Sequence, residues 1–221
     1  MTYVMSDLHG QYDAYIEMLE KTGFSERDAL YVVGDAIDRG AGGVDILMDM
    51  MDRSNIVLLR GNHEQMMLEA MAQPEPSDDD ISLWLEYNGG KTTFDAYIKL
   101  EAEQRQAVLD YLWDTPVDMD LTVAGASYYL VHGCPSPVNE LYSMIWDRVD
   151  PVDPAHKRDG MTVVFGHTPT PYYQNEIPWG IFFGDGIIGI DCGCASHMWQ
   201  ARLGCLRLDD MKAFYVAPFL R

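Results

Sequence analysis

Short apolar runs alternate with amphipathic segments through the first quarter of the chain. The runs at 2–5, 29–33 and 55–59 are dominated by Val, Leu, Ile, Tyr and Met, and each predicts a β-strand. Between them, apolar residues recur at helical spacing in 11–20 and 44–52. This β-α-β-α-β order predicts parallel strands with helical crossovers, so the carboxyl ends of the three strands should meet at one edge of a sheet.

The middle of the chain changes to a helical pattern from about residue 64 to 113. An acidic run at 73–80 interrupts it and is expected to be an exposed loop leading into a helix. The glycine-containing segment 88–92 is expected to be a turn between helices, because its spacing is not that of a Walker motif. Strand patterns then return in four segments, at 118–132, 161–165, 182–192 and 203–216. We therefore expect one α/β domain over residues 1–221, with a second sheet packed against the first.

The amino-acid composition excludes some classes of partner and of cellular location. The 35 acidic and 15 basic residues give a formal net charge of −20, which argues against nucleic acid or an anionic membrane as partner. No apolar run approaches the roughly 20 residues needed to span a bilayer, and the first residues lack the features of a signal peptide, so a cytoplasmic protein is expected. The four unevenly spaced cysteines, Cys134, Cys192, Cys194 and Cys205, are expected to be free thiols.

Side chains that can bind metals follow five of the predicted strands. Asp7 and His9 come after the first strand, and residues two apart in an extended chain point to the same side. The later strand ends contribute Asp35, Asn62, His132 and His167. Taken singly, each aspartate is as well explained as a helix cap. Their recurrence at strand ends that share a sheet edge favours a common site.

This set of donors indicates a centre with two metal ions. Three imidazoles, two carboxylates and one amide are too many for one ion with an open position, and such mixed ligands suit Mn²⁺, Fe or Zn²⁺ better than Ca²⁺. The expected ligands are Asp7 and His9 for one ion, Asn62, His132 and His167 for the other, and Asp35 as the bridge. A water held between the ions becomes hydroxide near neutral pH and attacks phosphorus in line.

Neighbouring charged residues are expected to bind the phosphate and to protonate the leaving group. His63 is the expected general acid, Asp38 holds its imidazole, and Arg39 clamps the phosphate with two hydrogen bonds. Asn62 is expected to contact the phosphate as well as a metal ion. Arg148 is a candidate second clamp, and a surface arginine in a loop is an equal alternative for it.

These segments together resemble the ordered motifs of the phosphoprotein phosphatases within the calcineurin-like metallophosphoesterases, above all their shorter bacterial and phage branch. The resemblance covers residues 1–208 and rests on Asp7-Leu8-His9-Gly10, Gly34-Asp35-Ala36-Ile37-Asp38-Arg39-Gly40, Gly61-Asn62-His63-Glu64, His132-Gly133 and Gly166-His167. It implies a β-sandwich of two mixed sheets flanked by helices, and a dinuclear phosphomonoesterase that usually uses manganese. The chain departs from the family pattern at Ser6, where many members have glycine, and at 191–199, where paired glycines are missing from the expected substrate rim.

Three functions are compatible with these motifs. The first is a protein phosphatase that acts on phosphoserine and phosphothreonine, with phosphotyrosine and small phosphoesters as further substrates. The second is a bis(5'-nucleosyl)-tetraphosphatase that acts on diadenosine tetraphosphate; such enzymes tend to lack the aspartate found here as Asp38 and to carry proline in place of Ala41. The third is a phosphate-binding module without catalysis, which the intact set of ligands disfavours.

Overall fold

The structure is a computed structural model that describes residues 1–72, 76–136 and 138–217. Its strands are β1 (Thr2–Met5), β2 (Ala29–Val33), β3 (Ile56–Leu59), β4 (Asp118–Val123), β5 (Ala126–Val131), β6 (Thr162–Phe165), β7 (Phe182–Gly184), β8 (Ile187–Gly189), β9 (Leu203–Arg207) and β10 (Lys212–Val216). Its α-helices are α1 (Tyr12–Thr22), α2 (Gly43–Met51), α3 (Asn62–Met71), α4 (Asp78–Ser82), α5 (Lys91–Tyr97), α6 (Ala102–Asp114) and α7 (Leu141–Trp146).

The first sheet has the order β10-β9-β1-β2-β3. Strands β1, β2 and β3 are parallel, and α1 and α2 form the crossovers between them, as their alternating pattern predicts. Strands β9 and β10 are antiparallel and extend the sheet on the free side of β1. The three parallel strands therefore end at the same edge.

The second sheet has the order β4-β5-β6-β8-β7. Its inner strands β5, β6 and β8 are parallel, and the antiparallel strands β4 and β7 form its edges. The pattern at 118–132 resolves into the β4–β5 hairpin, and the pattern at 182–192 resolves into the β7–β8 hairpin. Strand β8 ends at Gly189, so that the residues up to 192 form a loop after the strand rather than part of it.

Successive residues of a strand point to opposite sides, so each sheet has two faces. One face of each sheet packs against the other sheet. Val4 and Val33 of the first sheet contribute to the same apolar layer as Leu130, Val164 and Ile188 of the second. The alternate residues of the first sheet pack against α1 to α6, and those of the second pack around α7. The expected sandwich of two mixed sheets flanked by helices is thus confirmed.

The predicted helical segment consists of α3 to α6, with a π-helical turn at Leu83–Tyr87 between α4 and α5. Residues 73–75 of the predicted acidic loop lie outside the described residues, and Ser77 then caps α4 by accepting a hydrogen bond from the backbone N–H of Asp80. No helix among the described residues has the length and apolar character of a membrane span. The four cysteines are buried free thiols, as expected.

Candidate metal centre

The carboxyl ends of the six parallel strands converge on one cavity of about 410 Å³. Polar residues follow each of these strands. In strand order they are Asp7 and His9, Asp35, Asn62, His132, His167 and Asp191. All of them are buried except His167, which is partly exposed. The structure thus brings together the six residues that the sequence predicts as metal ligands and adds Asp191 to them.

The backbone turns sharply where these strands end. Ten non-glycine residues within the described ranges have positive φ, and six of them belong to the site: Asp7, His9, Asp35, Asp38, Arg39 and His167. Such conformations are costly for residues with a Cβ and persist where surrounding contacts enforce them, which is typical of functional sites. Gly34 also has a positive φ of 78°, and a Cβ there would collide with the ring of His132.

Two of the histidines are oriented by backbone carbonyls. The Nδ1 atom of His9 lies 3.2 Å from the carbonyl oxygen of Ile37, and that of His132 lies 2.8 Å from the carbonyl oxygen of Val33. When Nδ1–H donates to these carbonyls, each Nε2 atom is left free as a ligand, which is the usual arrangement of metal-binding histidines. Both Nε2 atoms face the carboxylate of Asp35.

Asp35 lies at the centre of the cluster. Its Oδ2 atom is 3.6 Å from Nε2 of His9, and its Oδ1 atom is 3.3 Å from Nε2 of His132. Two groups of possible ligand atoms, each within 4.8 Å of one another, share this residue. The groups are His9, Asp35 and His63, and Asp35, His132 and His167. The two oxygens of one carboxylate therefore face two different sets of donors.

The remaining expected ligands fill the space around these groups. The Oδ1 atom of Asn62 lies 3.1 Å from Nε2 of His132 and 3.1 Å from Nδ1 of His167. Asp7 accepts a hydrogen bond from the backbone N–H of His167 at 3.1 Å, and it lies 3.9 Å from Nε2 of His9. The amide and the second carboxylate thus lie within reach of the donors that Asp35 joins.

Burial and neighbouring charges shift the pKa values of the side chains in this cluster. Burial raises the pKa of Asp7 well above its usual range, and the carboxylate of Asp191 adds to this shift. Burial alone would also raise the pKa of Asp35, but the imidazoles of His132 and His63 hold it well below its usual range. Burial opposes the charged form of His132, yet Asp35 raises its pKa to about 10. The carboxylates thus depend on positive charge close by.

The donor set fits divalent metal ions. Carboxylate, amide and neutral imidazole ligands together suit Mn²⁺, Fe and Zn²⁺, and imidazoles oriented by carbonyls are ready to bind without rearrangement. Burial and the neighbouring His132 lower the pKa of His167 to about 4, which keeps this imidazole neutral, whereas His132, whose pKa Asp35 raises to about 10, would release its proton when it binds an ion. Bound cations would also offset the repulsion among the buried carboxylates.

His63 and Asp38 form a buried pair beside the cluster. The Nδ1 atom of His63 lies 2.7 Å from Oδ2 of Asp38, and the indole N–H of Trp84 donates to the same oxygen at 2.9 Å. The hydroxyl of Thr93 accepts a hydrogen bond from the backbone N–H of Asp38 at 2.9 Å. On the far side of the ring, Nε2 of His63 lies 3.2 Å from Nη2 of Arg39.

Glu64 connects two of the strand ends. Its carboxylate accepts hydrogen bonds from the backbone N–H groups of Asp35, Ala36 and Gly61 at 2.8 to 2.9 Å. The side chain is fully buried, and burial raises its pKa. From the sequence, Glu64 is expected to brace the loop rather than to take part in the chemistry, and its contacts are those of a brace.

Two arginines line the cavity together with the expected ligands. Arg39 and Arg148 are both exposed, and the guanidinium of Arg148 lies 5.1 Å from the centre of the Tyr172 ring. Arg148 is therefore not a remote surface residue, since it lines the same cavity as Asp7 and Asp35.

Several residues of the site are not predicted from the sequence pattern. Asp191 is 4% exposed, and burial raises its pKa to about 6. It follows an apolar strand and precedes Cys192-Gly193, which is the same signal as at the other strand ends, although from the sequence its segment is expected at the substrate rim. Trp84 and Thr93 carry no such signal, because they lie in helical segments and reach Asp38 only through the tertiary fold.

The sequence matches the family model of the calcineurin-like phosphoesterases over residues 2–187. This match covers most of the chain and includes all the strand ends described above except the one that carries Asp191. The chain belongs to the calcineurin-like phosphoesterase family.

Individual relatives have different functions. The chain is 29% identical over 182 residues to serine/threonine-protein phosphatase 1 of Salmonella typhimurium, which covers 76% of this chain and 78% of the relative. It is 23% identical over 280 residues to the symmetrical bis(5'-nucleosyl)-tetraphosphatase of Salmonella arizonae, covering 98% and 94%. The crystal structure of a metallophosphoesterase from Sphaerobacter thermophilus aligns with a TM-score of 0.65 at 18% identity, covering 98% and 88%. These similarities support the fold and the family and leave the substrate open.

The stabilising role of the Glu64 hydrogen bonds can be tested by substitution. Replacing Glu64 by Gln puts an amide N–H₂ group against backbone N–H donors, and we expect the free energy of unfolding in metal-free buffer to fall by about 2 to 4 kcal/mol. Urea denaturation measures this difference. The control is Glu69→Gln on the same helix, where the side chain accepts a hydrogen bond from Gln65. Equal losses for the two variants would contradict the role of Glu64.

Proposed function

We propose that this protein is a metal-dependent phosphomonoesterase that hydrolyses phosphoserine and phosphothreonine in proteins by direct attack of water on phosphorus. The observation that carries the proposal is the position of the buried His63–Asp38 pair and of Arg39 next to the donors around Asp35. Two divalent ions, Mn²⁺ above all, would activate a bridging water as the nucleophile and offset the charge of the phosphate.

The proposed ligands follow from the contacts of Asp35. Because its two oxygens face His9 and His132 respectively, this carboxylate is suited to bridge two ions. The proposed ligands are Asp7 and His9 on one side, and Asn62, His132 and His167 on the other. His63 also lies within reach of Asp35, but its Nε2 atom lies 3.2 Å from the guanidinium of Arg39, a cation, which favours a role in proton transfer over metal binding.

Arg39 and Arg148 are the proposed phosphate-binding residues, with Asn62 beside them at the cavity wall. Arg39 is exposed on one side and lies against His63 on the other. A charge-assisted hydrogen bond to a phosphate oxygen is stronger than one to a neutral imidazole. A bound phosphate would therefore draw the guanidinium away from His63 and uncover Nε2 when the substrate is in place.

His63 is the proposed general acid. Asp38 accepts hydrogen bonds from N–H groups of both His63 and Trp84, so its carboxylate is held in one position. There it stabilises a positive charge on the imidazole. With Arg39 bound to the phosphate, Nε2 of His63 can carry a proton and give it to the oxygen of the departing group. The alcohol then leaves without the cost of an unprotonated alkoxide.

A tetraphosphatase activity is the second candidate, because the relative with that name aligns over nearly the whole chain. Two observations disfavour it. Asp38 is present and is anchored by Trp84 and Thr93. A second cavity that shares Arg39 with the metal centre is lined by Asp13 and Asp45, which would repel a chain of phosphates.

The proposed substrate class can be tested with the manganese-loaded protein. We expect kcat/KM for phosphoserine and phosphothreonine peptides to exceed that for diadenosine tetraphosphate by at least about tenfold, since the walls near Arg39 favour a single phosphate. Release of inorganic phosphate and of nucleotides would be measured side by side. A preference for the dinucleotide would overturn the proposal in favour of the second candidate.

The bridging role of Asp35 predicts a linked loss of metal and activity. Replacing Asp35 by Asn removes the negative charge that both donor groups share, and we expect metal affinity and kcat/KM each to fall by at least about 100-fold. Elemental analysis after dialysis measures the bound metal. Asp45→Asn, an exposed change near the site, is the control. A variant at Asp35 that keeps two ions and full turnover would show that another residue is the bridge.

The general acid is tested with His63→Asn. We expect kcat on a phosphoserine peptide to fall by roughly 10²- to 10⁴-fold, with metal content unchanged. With 4-nitrophenyl phosphate the loss should be much smaller, because that leaving group departs without a proton. His156→Asn, at a histidine that does not line the cavity, is the matched control. Equal losses on the two substrates would remove His63 as the acid.

A further inference from the structure

Trp84 lies behind the His63–Asp38 pair, on the side away from the cavity of the metal centre. Its side chain is fully buried, and its indole N–H donates to Oδ2 of Asp38 at 2.9 Å. Trp146, by contrast, lines the cavity itself. Neither Trp84 nor Asp38 is among the described residues that line this cavity. Any effect of the indole on a substrate must therefore pass through Asp38 and His63.

The carboxylate of Asp38 is held at one of its two oxygens. Oδ2 lies 2.7 Å from Nδ1 of His63 and also accepts the hydrogen bond from the indole of Trp84. Oδ1 is buried and has no hydrogen-bond partner among the described residues. Because the two oxygens of a carboxylate are chemically equivalent, only the surrounding donors decide which of them faces the imidazole. Besides the imidazole itself, the indole N–H is the donor that makes this distinction.

The local fold fixes the direction of the indole. Trp84 is the buried residue of the π-helical turn Leu83–Tyr87, and such turns are rare and occur frequently at functional sites. The backbone N–H of Gly90 donates to the carbonyl of Trp84 at 2.9 Å, and a Cβ at Gly90 would collide with the indole. Phe94 packs edge-on against the ring, with 6.4 Å between ring centres. The indole therefore has little freedom to turn away from Asp38.

Other contacts of the same helical segment hold the backbone of the loop instead of the carboxylate. The hydroxyl of Thr93 accepts a hydrogen bond from the backbone N–H of Asp38 at 2.9 Å, and the carbonyl of Gly89 accepts one from the backbone N–H of Arg39 at 3.0 Å. These two contacts keep the loop in place when the indole is changed. The contribution of Trp84 can thus be separated from the support of the loop.

We infer that Trp84 is a positioning residue for proton transfer by His63. Its indole N–H fixes the carboxylate of Asp38, which in turn keeps Nε2 of His63 directed at the leaving oxygen of the substrate. The inference rests on the function proposed above and adds to it a residue that does not touch the substrate. Without the indole N–H, the carboxylate and the imidazole can turn together, and a misplacement of about 1 Å can slow a reaction about 100-fold.

An isosteric change tests the hydrogen bond alone. 3-(3-Benzothienyl)alanine at position 84 replaces the indole N–H by sulfur and keeps the two fused rings, and Trp84→Phe is a second variant. With manganese-loaded protein, we expect kcat on a phosphoserine peptide to fall about five- to fiftyfold, the loss expected for one hydrogen bond to a charged group. The loss on 4-nitrophenyl phosphate should stay below about twofold, because that leaving group departs without a proton. Trp113→Phe, at an exposed tryptophan, should change neither rate.

A double-mutant cycle tests whether the indole acts through His63. In the His63→Asn background, the change at Trp84 should lower kcat by less than about twofold, since the group that it positions is already missing. KM and metal content should equal those of the matching protein with Trp84 intact, because Trp84 does not line the cavity. A purely structural role would lower the rates on both substrates in either background.

Three outcomes overturn the inference alone. They are equal losses on the two substrates, a loss that multiplies with that of His63→Asn, and an unchanged kcat in the benzothienyl variant. The proposed function stands in all three cases, because the wild type and His63→Asn still behave as expected. If the wild type hydrolyses no phosphoserine peptide, or if His63→Asn slows both substrates equally, the proposed function fails and the inference fails with it.

Discussion

The carboxylate of Asp35 is buried between imidazoles on two sides, and the arrangement of the site follows from the need to compensate its charge. A buried carboxylate is costly unless positive charge or N–H donors face it. His9 and His132 face its two oxygens, and the backbone N–H of His63 donates to it. Asp7 and Asp191 crowd the same space, and burial raises the pKa of both carboxyl groups. Divalent cations are the natural counterpart of such a cluster, and four of its donors, Asp7, His9, Asp35 and His167, are held in conformations with positive φ.

The two-sheet architecture supplies the positions for this cluster. Each sheet contributes three parallel strands, and the face-to-face packing brings both sets of carboxyl ends to one edge. The antiparallel strands β4, β7, β9 and β10 complete the sheets without contributing expected ligands. Short turns after the parallel strands then direct the side chains inward, with Glu64 tying two of those turns together. The rigidity of the site thus comes from the sheets, and its chemistry comes from their loops.

The helical segment between β3 and β4 has a second role beyond covering the first sheet. It delivers the indole of Trp84 and the hydroxyl of Thr93 to Asp38, and the carbonyl of Gly89 to the backbone N–H of Arg39. The segment that carries Asp38 and Arg39, proposed to act on the proton and the phosphate, is therefore held in place by a different part of the chain. Positive charge at the cavity comes from Arg39 and Arg148, within a protein whose net charge is −20. The cavity thus holds positive charge locally within an acidic protein.

The sequence by itself determined the strands, the order of crossovers and the six donors that converge on the cavity, because an apolar run followed by Asp, His or Asn beside a glycine is a local signal. Asp191 carried the same signal, and only the structure showed that it belongs with the buried donors. Only the tertiary structure decided that the site includes Trp84, Thr93, Trp146 and Tyr172. In a sequence pattern, an aromatic residue or a threonine looks the same whether it packs in a core, holds a carboxylate or borders a cavity. The neighbours of β6 and β8 were likewise decided by long-range strand pairing, which local patterns do not encode.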